Sequence, residues 1–215
     1  TSGFAGLAGS GARSPADWEG LRYGSFGTPF EEPTLRVLMG CHEADFASLD
    51  VVNIGLADPL ALLAERRIDL AWVFRGWQGV QAELQGVDLE LVMLSDEVDC
   101  VPDYYTPILM TSRDMVDRQP ETVRAFVGAV ARGYALAEED PAAAASALLA
   151  AAPELDPELV RRSQEWLSPR YRDDAPRWGQ QSRQVWSDYA AWMLDNGILE
   201  QAIDVDVAFT NEFLP

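Results

Sequence analysis

Between residues 21 and 94 the chain alternates short apolar runs with helix-patterned stretches, and this alternation restricts it to an α/β architecture. The apolar runs cover residues 21–25, 51–55, 68–74 and 89–94, each bounded by turn residues. Between them, residues 30–39 read as a helix closed by Gly40. Asp58 and Pro59 open a second helix through residue 67, and a third ends at Gly86. Strands separated by helices are joined by crossovers, so the expected sheet is parallel and helix-covered.

Residues 21–33 read Leu-Arg-Tyr-Gly-Ser-Phe-Gly-Thr-Pro-Phe-Glu-Glu-Pro, a strand running through a glycine-punctuated loop into a helix. Such a loop is the usual ligand-facing place in an open α/β sheet, because its unpaired N–H groups hold ligand atoms. It carries no Gly-Lys-Ser/Thr ending, and the chain has no lysine, so it is not a phosphate-binding P-loop. Glu31 and Glu32 sit at the helix's positive end, where they repel phosphate or sulfonate. A neutral or cationic polar ligand is expected. An ordinary βα connection with acidic capping residues is the alternative.

The 215 residues suffice for one large domain or two lobes. All 16 basic residues are arginine, against 35 acidic ones, and the formal charge of −19 argues against nucleic acid and anionic membrane surfaces. No apolar run approaches a membrane span, and no signal-peptide pattern is visible. Cys41 and Cys100 stand in no metal-type spacing. A disulfide is open to an exported protein, but two unpaired thiols are expected. His42, the only histidine, has no second ligand pair nearby in sequence and reads as a helix-end loop residue, so no metal is expected. With no Gly-x-Ser-x-Gly elbow to support a triad, no catalytic residue is assigned.

Residues 1–13, rich in Gly, Ala and Ser, read as a connector, and residues 14–18 as a short helical turn. Residues 103–111 read as extended and β-rich, with Pro107 disfavouring helix at Thr106. From Pro120 the pattern is helical. Val123, Phe126, Val127, Val130, Ala131 and Tyr134 share a face, and Asp140-Pro141 and Asp156-Pro157 open further helices. Leu159, Val160, Ser163, Trp166 and Leu167 form a stripe. A last helix over residues 182–195 turns Trp186, Tyr189, Ala190 and Met193 inward. These aromatic stripes read as core. The second half offers its helices only the strand around residues 108–110, so part of the sheet they need is expected to precede this chain.

Together these stretches resemble the substrate-binding proteins of bacterial ABC importers, in the branch related to thiamine-pyrimidine biosynthesis and uptake. The resemblance is carried by residues 1–5 (Thr-Ser-Gly-Phe-Ala), 14–17 (Ser-Pro-Ala-Asp), the loop 24–32, and 69–72 (Asp-Leu-Ala-Trp). Gly76-Trp77, residues 102–105 (Pro-Asp-Tyr-Tyr), 120–126, 174–179 (Asp-Ala-Pro-Arg-Trp-Gly) and the ending 208–215 complete it, Thr-Asn-Glu-Phe-Leu-Pro being the most specific.

The resemblance implies a type II periplasmic-binding-protein-like two-lobed clamp, here an incomplete version corresponding to its C-terminal two-thirds. Residues 1–103 would form the second lobe with its incoming crossing strand, and residues 104–215 the return strand and helical remainder of the first. It implies a small flat heteroaromatic ligand, a thiamine pyrimidine precursor, held by aromatic faces and a few polar groups. The implied ligand-binding residues are Ser25, Phe26, Gly27, Thr28, Glu31 (or Glu32), Phe74, Trp77, Gln78, Tyr104 and Tyr105. No cofactor is implied. Permease and ATPase partners are, as is an extracytoplasmic location, periplasmic or lipid-anchored. Gln78 departs from the glutamate that pyrimidine-binding relatives often carry there, which leaves room for riboflavin or another amide-bearing ring. A pyrimidine-synthase-like enzyme is the remoter alternative, and a sensor without a transport partner another. Either self-association or an absent amino-terminal portion is expected, and in either case half the ligand pocket should be missing and binding weak or undetectable.

Overall fold

A computed structural model describes residues 1–173 and 175–215; Asp174, the first residue of one stretch that carries the resemblance, lies outside the described residues. The chain divides into two compact units, Thr1–Asp103 with Ser187–Ala202, and Tyr104–Trp186 with Ile203–Pro215.

The first unit is built on five strands: β1 (Ser2–Leu7), β2 (Arg22–Ser25), β3 (Asp50–Asn53), β4 (Leu70–Phe74) and β5 (Leu89–Met93). Their order across the sheet is β3-β2-β4-β1-β5. β2 pairs in parallel with β3 and β4, as the strand–helix alternation predicts. β1 does not follow that expectation. It runs antiparallel between β4 and β5, pairing Gly3 with Val73 on one side and Met93 on the other, so the sheet is mixed.

Residues 2–7 are therefore no connector. The composition that suggests one is what this position needs. A Cβ on Gly3 would lie 2.5 Å from the Val92 carbonyl oxygen, and one on Gly6 2.6 Å from the Asp69 carbonyl oxygen. Only glycine fits at these two positions, where the neighbouring backbones approach so closely.

Successive β1 residues point to opposite faces. Phe4 enters an aromatic cluster with Trp18, Tyr23 and Trp72, at centroid separations of 5.1, 5.9 and 5.0 Å. Ala5 joins Ala71, Val73, Ile68 and Ala82 beneath Leu60, Leu62 and Leu63 of α2 (Pro59–Ala64). Asp58 caps α2 by accepting from the Leu60 N–H at 3.0 Å, with Pro59 in the first turn as the sequence suggests. α1 (Glu31–Cys41) buries Thr34, Leu35, Leu38 and Met39, the spacing of one helix face, and α3 (Val80–Gln85) ends at left-handed Gly86. At the start of β2 and β4, Arg22 grips Asp69 with Nε and a terminal nitrogen, each at 2.8 Å. The bond from Arg22 is the main reason the Asp69 carboxyl lies below its ordinary range.

The sequence expectation of two unpaired thiols is also overturned. Cys41, the last residue of α1, is disulfide-bonded to Cys100, with Cα atoms 6.1 Å apart. Fifty-nine residues separate the two, and only the fold juxtaposes them.

The extended segment 103–111 forms no strand. The helical reading holds: α4 (Arg113–Arg118), α5 (Pro120–Glu139), α6 (Pro141–Ala151) and α7 (Pro157–Leu167) follow in turn. Asp140 and Asp156 cap α6 and α7 through the Ala143 and Leu159 N–H groups, at 2.9 and 2.7 Å. α8 (Arg183–Asp195) starts in this unit, and α9 (Val205–Ala208) precedes the C-terminal segment. There the Asn211 side chain accepts from the Gln181 N–H at 2.9 Å and donates to the Gln181 carbonyl at 2.8 Å. Phe209 stacks on Trp186 at 5.4 Å, Arg124 lies over the buried Phe213 ring, and Arg124 donates to the Glu212 carbonyl. The most specific stretch of the resemblance is thus a structural clasp. Phe126, placed on the inward face of α5 by the sequence pattern, is 59% exposed. Among the described residues no helix is long and apolar enough to cross a membrane.

Candidate ligand-binding site

The carboxyl ends of β3, β2 and β4 lie side by side, and they and the segments that leave them carry eight of the ten sequence-assigned residues. Ser25 ends β2, Phe26, Gly27 and Thr28 lie in the loop that follows and Glu31 opens α1, while Phe74 ends β4 and the turn after it holds Trp77 and Gln78. Tyr104 and Tyr105 belong to the second unit, where the Tyr105 hydroxyl oxygen accepts from the Ser182 N–H at 2.7 Å.

Glu31 does not stand open to a ligand. It is 1% exposed, and its carboxylate folds back into its own loop. Oε1 accepts from the Thr28 N–H at 2.8 Å and the Thr28 hydroxyl at 2.5 Å. Oε2 accepts from the Phe26 N–H at 3.0 Å and the Tyr23 hydroxyl at 2.6 Å. Burial pushes this carboxyl upward, but the bonds from Thr28, Tyr23 and the loop N–H groups outweigh it and hold the group below its usual value. Burial, then the carboxylate beside it, keeps the Tyr23 phenol protonated far above its ordinary range.

One further loop donor is engaged as well. Gly27 N–H donates to Ser25 Oγ at 2.9 Å, so the expectation that these N–H groups await a ligand is corrected. The helix dipole explains why an acidic residue belongs here. What the sequence does not reveal is that the carboxylate itself fills the position an anionic ligand would take.

Gly27 adopts φ +84°, and a Cβ there would sit 3.1 Å from Asn53 Nδ2. Asn53, at the end of β3, is the residue sequence reading passes over; its Oδ1 accepts from Gly55 N–H at 3.0 Å. A polar side chain closing an apolar strand two residues before glycine is the signal that marks it. Gln78 is partly engaged too: its Oε1 accepts from the Phe74 N–H at 3.0 Å and caps β4.

The aromatics remain. Trp72 is 7% exposed and packs edge-on against Phe30 at 5.5 Å, which makes it core as its place within the strand suggests. Phe26 and Trp77 are half-buried, and Phe74 is 46% exposed. Phe30 and Leu56 add exposed apolar surface in the adjoining loops. A concavity of about 380 Å³ in this unit is lined by Arg75, Glu83, Leu89 and Leu91 and includes none of these aromatics. The strand-end edge is an apolar, aromatic surface around a loop whose buried Glu31 carboxylate stays ionised and is satisfied internally by hydrogen bonds.

Residues 1–144, two-thirds of the chain, match the NMT1/THI5-like family. The chain belongs to that family. Its relatives include the formylaminopyrimidine-binding protein of Halalkalibacterium halodurans, 24% identical over 203 residues, covering 92% of this chain and 61% of the relative. The riboflavin-binding protein RibY of Chloroflexus aurantiacus is 27% identical over 205 residues, covering 91% of this chain and 57% of that protein. The chain thus spans less than two-thirds of the length of either. Among solved structures, the periplasmic aliphatic sulphonate binding protein SsuA from Escherichia coli superposes with a TM-score of 0.69 at 14% identity, over 95% of this chain and 63% of SsuA. The desulfurization enzyme DSZB superposes with a TM-score of 0.60 at 16% identity, over 99% of this chain and 74% of the enzyme. The fold of this NMT1/THI5-like chain is the α/β fold of periplasmic binding proteins, a fold that also hosts an enzyme.

Proposed function

We propose that this chain is the ligand-binding portion of a solute-binding component of an ABC importer, with a flat, uncharged heteroaromatic as its ligand. One observation carries the reading. The Glu31 carboxylate already occupies the loop's N–H groups, while Phe26, Phe74 and Trp77 present aromatic surface beside them. An oxyanion would have to displace a buried carboxylate, whereas a flat ring needs only the aromatic faces. The names of the two relatives make a formylaminopyrimidine the first candidate. Riboflavin is the second, favoured by Gln78, whose remaining N–H₂ group donates to a ring carbonyl.

Tyr104 and Tyr105 are proposed ligand-binding residues as well, and residues 1–103 and 104–215 are proposed to correspond to parts of two lobes. Permease and ATPase subunits are the proposed partners. The Cys41–Cys100 bond supports an extracytoplasmic location, since disulfides persist in oxidising compartments. Binding is proposed rather than catalysis, because the strand-end groups supply stacking faces and hydrogen bonds. Exposed Phe126 and Leu136 on α5 support self-association, which sedimentation velocity reads directly.

The deciding experiment is a thermal-shift series on this chain with millimolar formylaminopyrimidine, riboflavin and an aliphatic sulfonate. Stabilisation by a heteroaromatic alone is expected. A selective response to the sulfonate overturns the reading.

A further inference from the structure

Cys41 and His42 close α1, and His42 is its C-cap. Glu97 and Cys100 lie on the turn that follows the 3-10 segment Leu94–Asp96 after β5, and the Cys100 N–H donates to the Glu97 carbonyl at 2.9 Å. The fold sets these two pairs against each other. His42 Nε2 and Glu97 Oε2 are 2.8 Å apart, and the donor atoms of His42, Glu97 and Cys100 all lie within 4.8 Å of one another. Cys41 is covalently joined to the same Cys100 sulfur. His42 is the helix-end residue the sequence suggests, and the tertiary structure brings to it donors that lie far away in sequence.

We propose that Cys41, His42, Glu97 and Cys100 form a redox-gated zinc site, closed as a disulfide in the oxidised chain and open to the ion when the cysteines are reduced. Two thiolates, an imidazole and a carboxylate form a donor set that suits zinc rather than magnesium or calcium. A tetrahedral ion separates Nε2 from a carboxylate oxygen by about 3.3 Å and from a thiolate sulfur by about 3.6 Å. The His42, Glu97 and Cys100 donor atoms, all within 4.8 Å of one another, reach these separations by short side-chain movements, and reduction frees the Cys41 sulfur to part from that of Cys100. The His42 and Glu97 side chains are 31% and 16% exposed, shielded yet reachable. The carbonyl-rich end of α1 adds a field that favours a cation.

The chemistry balances. A dithiol reductant gives two electrons and two protons to the Cys41–Cys100 bond and becomes a disulfide itself, leaving two protein thiols. Zinc binding then releases both thiol protons to solvent, and His42 ligates through Nε2 as the Nδ1–H tautomer. In the oxidised chain two donors are locked in the S–S bond, and His42 with Glu97 alone make a weak site.

The test measures zinc affinity of the whole chain by competition with a chromophoric chelator, oxidised and after anaerobic treatment with a dithiol that is then removed. Cobalt(II) serves as the spectroscopic probe. The reduced chain is expected to bind one zinc at least 100-fold more tightly than the oxidised chain, and its cobalt form to show a thiolate charge-transfer band. H42Q and E97Q, reduced in parallel, should each weaken binding at least tenfold while circular dichroism stays native. Equal affinity in the two redox states overturns the proposal, because it assigns binding to the acidic surface. So does a cobalt spectrum without the thiolate band, or unchanged affinity in both variants. Loss of fold on reduction that zinc does not restore overturns it as well.

Discussion

The Tyr23 hydroxyl donates to the Glu31 carboxylate at 2.6 Å, tying the middle of β2 to the first residue of the helix that follows. The bond spans the loop proposed to face the ligand, so loop shape depends on a buried ionic acceptor. Replacing Glu31 by Ala strands the Tyr23 hydroxyl and two loop N–H groups and is expected to cost about 3 kcal/mol in urea unfolding at pH 7. Glu31 has a folded pKa below its unfolded one, so its contribution is complete above about pH 4.3 and fades as pH falls through the unfolded and then the folded value. The stability gap between wild type and E31Q should therefore narrow on acidification, and a gap that stays constant from pH 7 to 3 would remove the charge from this account.

Two glycines near this loop should respond to alanine with opposite signs. G27A forces a side chain into φ +84° against Asn53 and should lose about 1–2 kcal/mol. G40A, in α1 with nothing within 4 Å of the new Cβ, should gain about 0.5–1 kcal/mol. Chemical denaturation of both variants checks the pair.

Trp72 and Trp77, five residues apart, should separate stability from binding. W72A removes a buried ring that touches Phe4 and Phe30 and should cost about 3–5 kcal/mol of stability. W77A should leave the fold near wild type and weaken heteroaromatic binding at least several-fold, from lost area plus about 0.5–1.5 kcal/mol of ring geometry. Calorimetric titration with unchanged affinity in W77A would exclude the stacking role.

The Asn211 clasp gives a graded series. N211A loses both bonds to Gln181 and is expected to destabilise by about 1–2 kcal/mol. N211D keeps the acceptor and loses the donor, so it should fall between. Amide exchange at Gln181 reports the effect locally, and equal protection in all three proteins would contradict it.

The helices and the parallel strands were legible because periodicity, Asp-Pro starts and glycine stops are local signals. β1 was not, because residues 1–13 have a linker's composition and only the crowding by Val92 and Asp69 explains it. Glu31 was legible as a helix-start acid, but its partner Tyr23 lies eight residues back on the preceding strand and is visible only in the fold. The disulfide and the His42–Glu97 contact join residues more than fifty positions apart, a relationship that one sequence does not carry.

β1 also shapes how the first unit assembles. Residue 3 pairs with residue 93, so β1, which precedes the other four strands in the chain, gains its second neighbour only when β5, the last of them, docks. Closing so long a loop is entropically slow, and contacts of this range lengthen folding times. During synthesis β1 must wait unpaired on that side until some ninety further residues have left the ribosome, at about 5–20 residues per second. The glycines at positions 3 and 6 that let β1 fit between its neighbours also suit it to that wait, since glycines weaken a strand as a template for aggregation.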